Sequence, residues 1–183
     1  MKNTEEFYRF YRDKMLCLDA KPNITHFKLT EFERSGKLKA IVTQNIDGLH
    51  QRAGSKIVYE LHGSILRNYC MKCHKFYDAE YICQSKEIPH CKCGGIIKPD
   101  VVLYQEGLDD NTVEKSVQAI TDADLLIVGG TSLNVYPAAG LIQYRKRTCK
   151  LVLINKTKTS ADIYCDLVIH DSLGKIFAET KIN

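Results

Sequence analysis

Three short apolar runs restrict what this chain can fold into. Leu38-Lys39-Ala40-Ile41-Val42, Leu125-Leu126-Ile127-Val128 and Leu151-Val152-Leu153-Ile154 are followed at once by polar or glycine residues: Thr43-Gln44-Asn45, Gly129-Gly130 and Asn155. Near-continuous aliphatic runs of this length suit strands of a parallel sheet covered on both faces. A fourth strand is expected at Ile57–Leu61, after the turn residue Gly54. Ligands of open α/β sheets bind outside the carboxyl ends of the strands, where these amides and glycines fall.

Helical spacing fills the intervals. Asn3 and Glu6 suit a capping box ahead of Phe7, Tyr11, Met15 and Leu18. Pro22-Asn23 breaks the chain, and a second helix runs to about Arg34, closed by Ser35-Gly36. His26 shares a face of it with Leu29 and Phe32 and reads as a hydrogen-bonded core histidine. Val113, Val117 and Ile120 predict a helix from Asn111 to Ala123, and Pro137 opens another through Ala138–Arg147. A last strand is expected within Ala161–Ile169 and a terminal helix over Ser172–Thr180. The alternation predicts an α/β fold with a doubly wound, Rossmann-like parallel sheet.

The 183 residues are enough for one domain with a small subdomain. The net charge of +4 is modest and does not by itself call for nucleic acid. The N-terminal residues lack a signal-peptide core and no apolar run reaches membrane-spanning length, so a cytoplasmic location without a membrane partner is expected.

Four of the eight cysteines are clustered, Cys70 and Cys73 as CxxC and Cys91 and Cys93 as CxC. In a chain without an export signal, such pairs read as metal ligands and the scattered cysteines as thiols. The diglycine Gly94-Gly95 allows the tight turn of a second knuckle. Four thiolates make a closed, structural zinc site, with His74 or His90 as the alternative fourth ligand. The surrounding segment has few large aliphatics and needs such a staple to hold together. The expected organisation is therefore residues 1–64 in the parallel-sheet part, 65–98 in the zinc-binding insert and 99–183 back in the parallel-sheet part.

Two further features carry chemistry. Gln44, Asn45 and Asp47 place amides and a carboxylate at a strand end where ligands bind, although Asn, Asp and Gly also simply make turns. His62 puts an imidazole, which titrates near neutrality, just past a strand.

Taken in order, Thr43-Gln44-Asn45-Ile46-Asp47-Gly48-Leu49-His50, Leu61-His62-Gly63-Ser64, the cysteine pairs, Pro99-Asp100-Val101-Val102 and Gly130-Thr131-Ser132-Leu133 with Val135 and Pro137 resemble the signature strings of the sirtuin family, the NAD-dependent protein deacylases. The resemblance runs from about Phe7 to Phe177. It implies a lysine deacylase that moves the acyl group to ADP-ribose and releases nicotinamide, with NAD as co-substrate, structural zinc and acyl-lysine peptides as partners. By resemblance His62 is the catalytic base. Asn45 and Asp47 hold the nicotinamide carboxamide, and Gln44 sits near its ribose. Gly130, Thr131, Ser132 and Asn155 hold the adenosine half, and Leu173 packs near adenine. Val102 and Tyr104 wall the acyl-lysine tunnel, and a peptide adds as a strand beside them and Val135.

The sequence departs from the family pattern at three places. Its second knuckle is CxC instead of CxxC, and Gln105 stands where glycine is common. The first strand and its GAG-type glycine loop have no counterpart. That departure predicts a truncated sirtuin with a bared sheet edge, and it keeps open an inactive form retaining only structure or peptide binding. A zinc-ribbon binding module is the remaining alternative, but the insert's lysines lack the spaced aromatics of a nucleic-acid platform.

Overall fold

A computed structural model describes residues 3–181. In chain order its elements are α1 (Thr4–Phe10), a π-helical turn (Tyr11–Met15), α2 (Ile24–Arg34), β1 (Ile41–Thr43), α3 (Leu49–Ala53), β2 (Val58–Glu60), β3 (Gly63–Cys70), β4 (Phe76–Tyr77), α4 (Ala79–Gln84), β5 (Ile97–Val101), α5 (Asp110–Asp122), β6 (Leu125–Gly129), a 3-10 helix (Ala138–Tyr144), β7 (Lys150–Ile154), a 3-10 turn (Asp162–Tyr164), β8 (Leu167–Ile169) and α6 (Leu173–Glu179). The chain forms two compact units. One takes the residues up to Lys21 together with Asn45–Leu49 and His62–Gly107, and the other takes Pro22–Gln44, His50–Leu61 and the residues from Leu108 onward.

The first unit is built on an antiparallel sheet of order β4-β3-β5. Its core gathers Tyr11, Ile65, Cys70, Ile82, Cys91, Ile97 and Val101, with Phe7, Met15, Leu16 and Leu18 packed against it. The cysteine-rich segment thus borrows its missing apolar surface from the N-terminal helix, and metal is not its only staple. Tyr8 is fully buried and its hydroxyl donates to the Ile97 carbonyl at 2.7 Å, with burial pushing the phenol up to about 12. Arg12 adds a polar grip, its guanidinium donating to Ser85 Oγ at 3.2 Å and to the carbonyls of Lys86 at 3.3 Å and Glu87 at 2.9 Å. Asn3 caps α1 by accepting from the Glu6 N–H. The expected box is incomplete, because the Glu6 carboxylate accepts from the Asn3 side chain at 2.7 Å. The helix also changes pitch: Leu16 N–H reaches the Tyr11 carbonyl at 3.1 Å, five residues back, and the segment ends at Met15 instead of Leu18.

In the second unit α2 has a complete capping box. Asn23 accepts from the N–H of Thr25 and His26, while the His26 ring meets the Asn23 N–H at 3.2 Å. The buried His26 is a helix-capping histidine. At the far end Gly36 (φ 75) brings its own N–H to Glu33 and the Lys37 N–H to the Phe32 carbonyl, which closes the helix as a Schellman motif. Leu38 N–H is spent on the same carbonyl, so β1 starts at Ile41 and not at Leu38. β1 and β2 pair in parallel, Ile41 with Val58 and Thr43 with Glu60. β6, β7 and β8 form a separate parallel sheet in that order.

Three expectations change here. β6 is not covered on both faces among the described residues: Leu125 is 53% and Ile127 40% exposed, while Val128 packs inward with Leu153. The last strand shortens to Leu167–Ile169 because Asp162 accepts from Thr159 N–H and Oγ at 3.0 and 2.8 Å and starts a 3-10 turn instead. The helix expected over Ala138–Arg147 is likewise a 3-10 helix ending at Tyr144. No helix among the described residues is long and apolar enough to cross a membrane.

Tyr8→Phe leaves the Ile97 carbonyl without its donor inside the core, which costs about 1–3 kcal/mol. The exposed Phe10→Ala stays within about 0.5 kcal/mol. Denaturant midpoints of the two variants against the parent check the difference.

Candidate functional site

The part of the first unit that carries the expected catalytic residue begins at a backbone crossing. β3 starts at Gly63, whose φ is 76, and pairs Gly63 with Val101 and Ser64 with Asp100 on β5. A Cβ at Gly63 would lie 1.9 Å from the Asp100 carbonyl oxygen, so only glycine fits. Just beyond the pairing, Val102 N–H donates to the His62 carbonyl at 3.1 Å. His62 and the expected substrate segment are therefore adjacent through their main chains.

A second set of bonds attaches the amide-rich loop. Ile65 N–H donates to the Ile46 carbonyl at 2.9 Å, and the buried Ser64 hydroxyl donates to the same carbonyl at 3.5 Å while accepting from Leu66 N–H at 3.2 Å. Asp47 Oδ1 accepts from Leu49 N–H at 2.9 Å and starts α3, and Gly48 takes a φ of 68 with Leu66 against it. The turn reading of Asn45–Gly48 thus holds, and the turn itself orients the Asp47 carboxylate. Asn45 is exposed, Asp47 and His62 half-buried. His62, Asn45, Asp47, Val102 and Tyr104 all belong to this unit, whereas Gln44 and Val135 belong to the other. Tyr104 is fully exposed, and Gln105 beside it takes a φ of 73, the left-handed conformation that the usual glycine would adopt without strain.

The second unit carries the expected adenosine residues at one sheet edge. Gly129, Ile154 and Ile169 stand in register at the carboxyl ends of β6, β7 and β8. Gly130, Asn155 and His170 follow them. Gly130 N–H donates to Ile154 and Asn155 N–H to Ile169, both at 3.1 Å, extending the ladder by one step. Thr131 Oγ accepts from Leu133 N–H at 3.2 Å, and Ser132 is exposed. The Asn155 amide donates to the Thr157 carbonyl at 2.9 Å. Leu173, first residue of α6, presses on the glycines: a Cβ at Gly129 would come within 2.6 Å of it and one at Gly130 within 3.0 Å. These glycines therefore make room for Leu173, a steric role that their sequence does not reveal. Sequence reasoning also passes over His170. It meets the Asn155 carbonyl and pairs with Asp162, both at 3.1 Å, and its place directly after a strand is the signal that points to it.

The four clustered cysteines converge as expected. Their sulfurs all lie within 4.8 Å of one another, with Cys70–Cys93 at 3.5 Å, Cys73–Cys91 at 3.6 Å and Cys73–Cys93 at 3.4 Å. A tetrahedral zinc with bonds of roughly 2.3 Å places its sulfurs roughly 3.8 Å apart, so the set fits the ion. Neither His74 nor His90 joins the cluster among the described residues. Main-chain N–H groups point at the sulfurs, Lys72 at Cys70 and Cys93 at Cys91. The Cys93 N–H and the Tyr77 hydroxyl hold the Cys91 thiol down to about 6. At Cys93 the Gly95 N–H favours the thiolate, but hydrogen bonds with Cys73, Cys91 and Cys70 outweigh it and push the thiol up to about 12. Sulfurs this close cannot all ionise without a compensating cation, which is the demand zinc meets. The two residues of the diglycine play different parts. Gly94 supplies a φ of 82, and Gly95 leaves room where a Cβ would come within 2.6 Å of the Cys70 sulfur.

Comparison with known proteins agrees with this geometry. The Sir2 family model matches residues 1–137. An NAD-dependent protein deacetylase of Clostridium acetobutylicum is 65% identical over 182 residues, covering 98% of this chain and 74% of the relative. One from Clostridium perfringens is 61% identical over 176 residues, covering 96% and 72%. Among solved structures, a Sir2–p53 peptide–NAD+ complex matches with a TM-score of 0.88 at 37% identity, covering 94% of this chain and 75% of that one. Sir2 bound to an acetylated peptide matches with a TM-score of 0.89 at 37% identity and the same coverage. The chain belongs to the Sir2 family.

Zinc retention is open to direct measurement. Purified under reducing conditions, the protein contains one zinc per chain, and Cys70→Ala loses both the metal and the fold of the first unit, because Cys70 also lies in its core. Gly95→Ala lowers zinc retention against a chelator at least about tenfold, while Lys72→Ala leaves it unchanged. Metal analysis and a competitive chelator titration check both.

Proposed function

We propose that this chain is an NAD-dependent protein-lysine deacylase, transferring the acyl group from lysine to ADP-ribose with release of nicotinamide. The observation that carries the reading is the joining of three separate motifs in one unit: His62 bonded through its carbonyl to Val102, and Ile46 of the amide-rich loop bonded to Ser64 and Ile65 beside it. The kinship with NAD-dependent deacetylases supports the same chemistry.

In this reading NAD supplies the electrophilic ribose carbon and the leaving nicotinamide. Asn45 and Asp47 hold the carboxamide, the Asp47 carboxylate being oriented by the Leu49 N–H. Gln44 lies toward the neighbouring ribose. Gly130, Thr131, Ser132 and Asn155 hold the adenosine half at the carboxyl edge of β6 and β7, with Leu173 against adenine. Acyl-lysine enters along Val102 and Tyr104, and Val135 flanks the peptide on its other side. With NAD bound, the acyl oxygen would displace nicotinamide at the ribose carbon, and His62 would take a proton from a ribose hydroxyl whose oxygen then attacks the acyl carbon, from which the lysine amine leaves. General-base assistance of this kind contributes roughly 10²–10⁴ in rate. Zinc, held by Cys70, Cys73, Cys91 and Cys93 within residues 65–98, takes no part in the reaction, because four protein ligands leave it no open position. A thiolate-rich site of this kind suits a reducing compartment, in keeping with the cytoplasm.

His62→Ala abolishes acetyl-peptide-dependent nicotinamide release and leaves NAD binding within about twofold, because the base acts after the co-substrate is seated. Nicotinamide release and calorimetry with NAD separate the two effects. Near-parental turnover by the variant would show that His62 is not the base.

A further inference from the structure

The segment that follows β5 is held by a charged clamp. Lys98 Nζ, on β5, donates to the Val101 carbonyl at 3.1 Å and to Glu106 Oε2 at 2.9 Å. The same carboxylate oxygen accepts from Leu103 N–H at 2.9 Å. Glu106 N–H in turn donates to the Leu103 carbonyl at 3.0 Å. Leu103 to Glu106 is therefore a closed turn, tied to β5 through Lys98 and to its own first amide through Glu106. Gln105 sits in it with a φ of 73, a conformation that a non-glycine residue keeps only when its surroundings impose it. Tyr104, at the crest, is wholly exposed and Val102 is half-buried. Val102 N–H is already bonded to His62.

This arrangement is more than a surface ion pair, which would contribute little. The two residues that lead into the turn are both fixed: Val102 by the His62 carbonyl and Leu103 by the Glu106 carboxylate. An extended peptide that adds to a preformed strand avoids the entropy of ordering its partner. Without the clamp the strained turn at Gln105 would relax, and that ordering would fall on peptide binding.

We propose that Lys98 and Glu106 are positioning residues for the acyl-lysine peptide. They hold Val102 and Leu103, and with them the turn that carries Tyr104, in the conformation that receives it, and they touch neither NAD nor the reacting atoms. The proposal rests on the deacylase reading. It also assigns a direction to each kinetic constant: the clamp sets the KM for peptide and leaves kcat and the KM for NAD alone.

The test uses the full chain with an acetyl-lysine peptide and NAD, and it includes peptide binding in the His62→Ala background, where turnover plays no part. Glu106→Ala raises the peptide KM and the binding Kd together by about tenfold, the size expected for loss of one charged hydrogen-bond partner. Its kcat and NAD KM stay within about twofold. Glu106→Gln falls between it and the parent, because the amide oxygen still accepts from Leu103. Lys98→Arg restores the clamp and behaves as the parent, whereas Lys98→Met follows Glu106→Gln. Deuterium exchange at Leu103 speeds up in the order parent, Glu106→Gln, Glu106→Ala. Faster exchange with unchanged peptide binding would overturn the proposal, as would a fall in kcat and a rise in NAD KM of the same size. A parent chain that binds no acetyl-lysine peptide would overturn the deacylase reading and this proposal with it. A parent that binds, beside a Glu106→Ala variant that binds equally well, would overturn this proposal alone.

Discussion

Gly63 passes so close to the Asp100 carbonyl that no side chain can stand between them, and the rest of the catalytic side follows from that approach. The crossing sets the register of β3 on β5, which puts the His62 carbonyl within reach of Val102 N–H. One residue further, Ser64 is turned inward and buried, where its hydroxyl and the Ile65 N–H both meet the Ile46 carbonyl. Main-chain bonds thus fix the segments carrying the His62 imidazole, the amide-rich loop and Val102. Apart from Gly63 and the Ser64 hydroxyl, these bonds do not depend on the side chain at each position.

The carboxyl edge of β6 and β7 follows a different principle. There the ladder runs one step past each strand, through Gly130 and Asn155, and the exposed backbone left at the edge is shaped by a single aliphatic side chain, Leu173. Ser172 caps α6 by accepting from Lys175 N–H, which fixes where that side chain projects. The glycines of β6 are as much partners of Leu173 as a place for a ligand to approach. A larger residue at position 129 would therefore press on the methyl ends of Leu173, which would have to turn aside.

Much of this is legible in the sequence because local chemistry and long-range structure agree. The strand ends, the α6 boundaries and the four cysteines all follow from residue type and spacing, and the strain at Gln105 follows from a glycine that the family pattern leads one to expect. What is not legible depends on atoms distant in sequence. Nothing local says that Gly63 must be glycine because of Asp100, or that Gly95 lies against the Cys70 sulfur and Gly129 against Leu173. Leu38 looks like a strand residue, yet its N–H is taken by the end of the preceding helix. Leu125 and Ile127 have the composition of a doubly covered strand, but burial depends on what packs against it, and one face of β6 stays open to solvent. The cysteine-rich segment looks unable to form a core by itself because its apolar partners, Phe7 to Leu18, lie far upstream.

Cys70 and Cys91 are at once metal ligands and members of the core that holds Ile65 and Val101. A ligand that binds only the folded form adds stability in proportion to the logarithm of its free concentration, about 1.4 kcal/mol for each tenfold rise above its dissociation constant. The free zinc level around the protein is therefore a term in the stability of the strands that present His62 and Val102. An ion with no part in the reaction thus governs how much of the population can carry it out, and sequestering zinc would thin that population without any inhibitor entering the site.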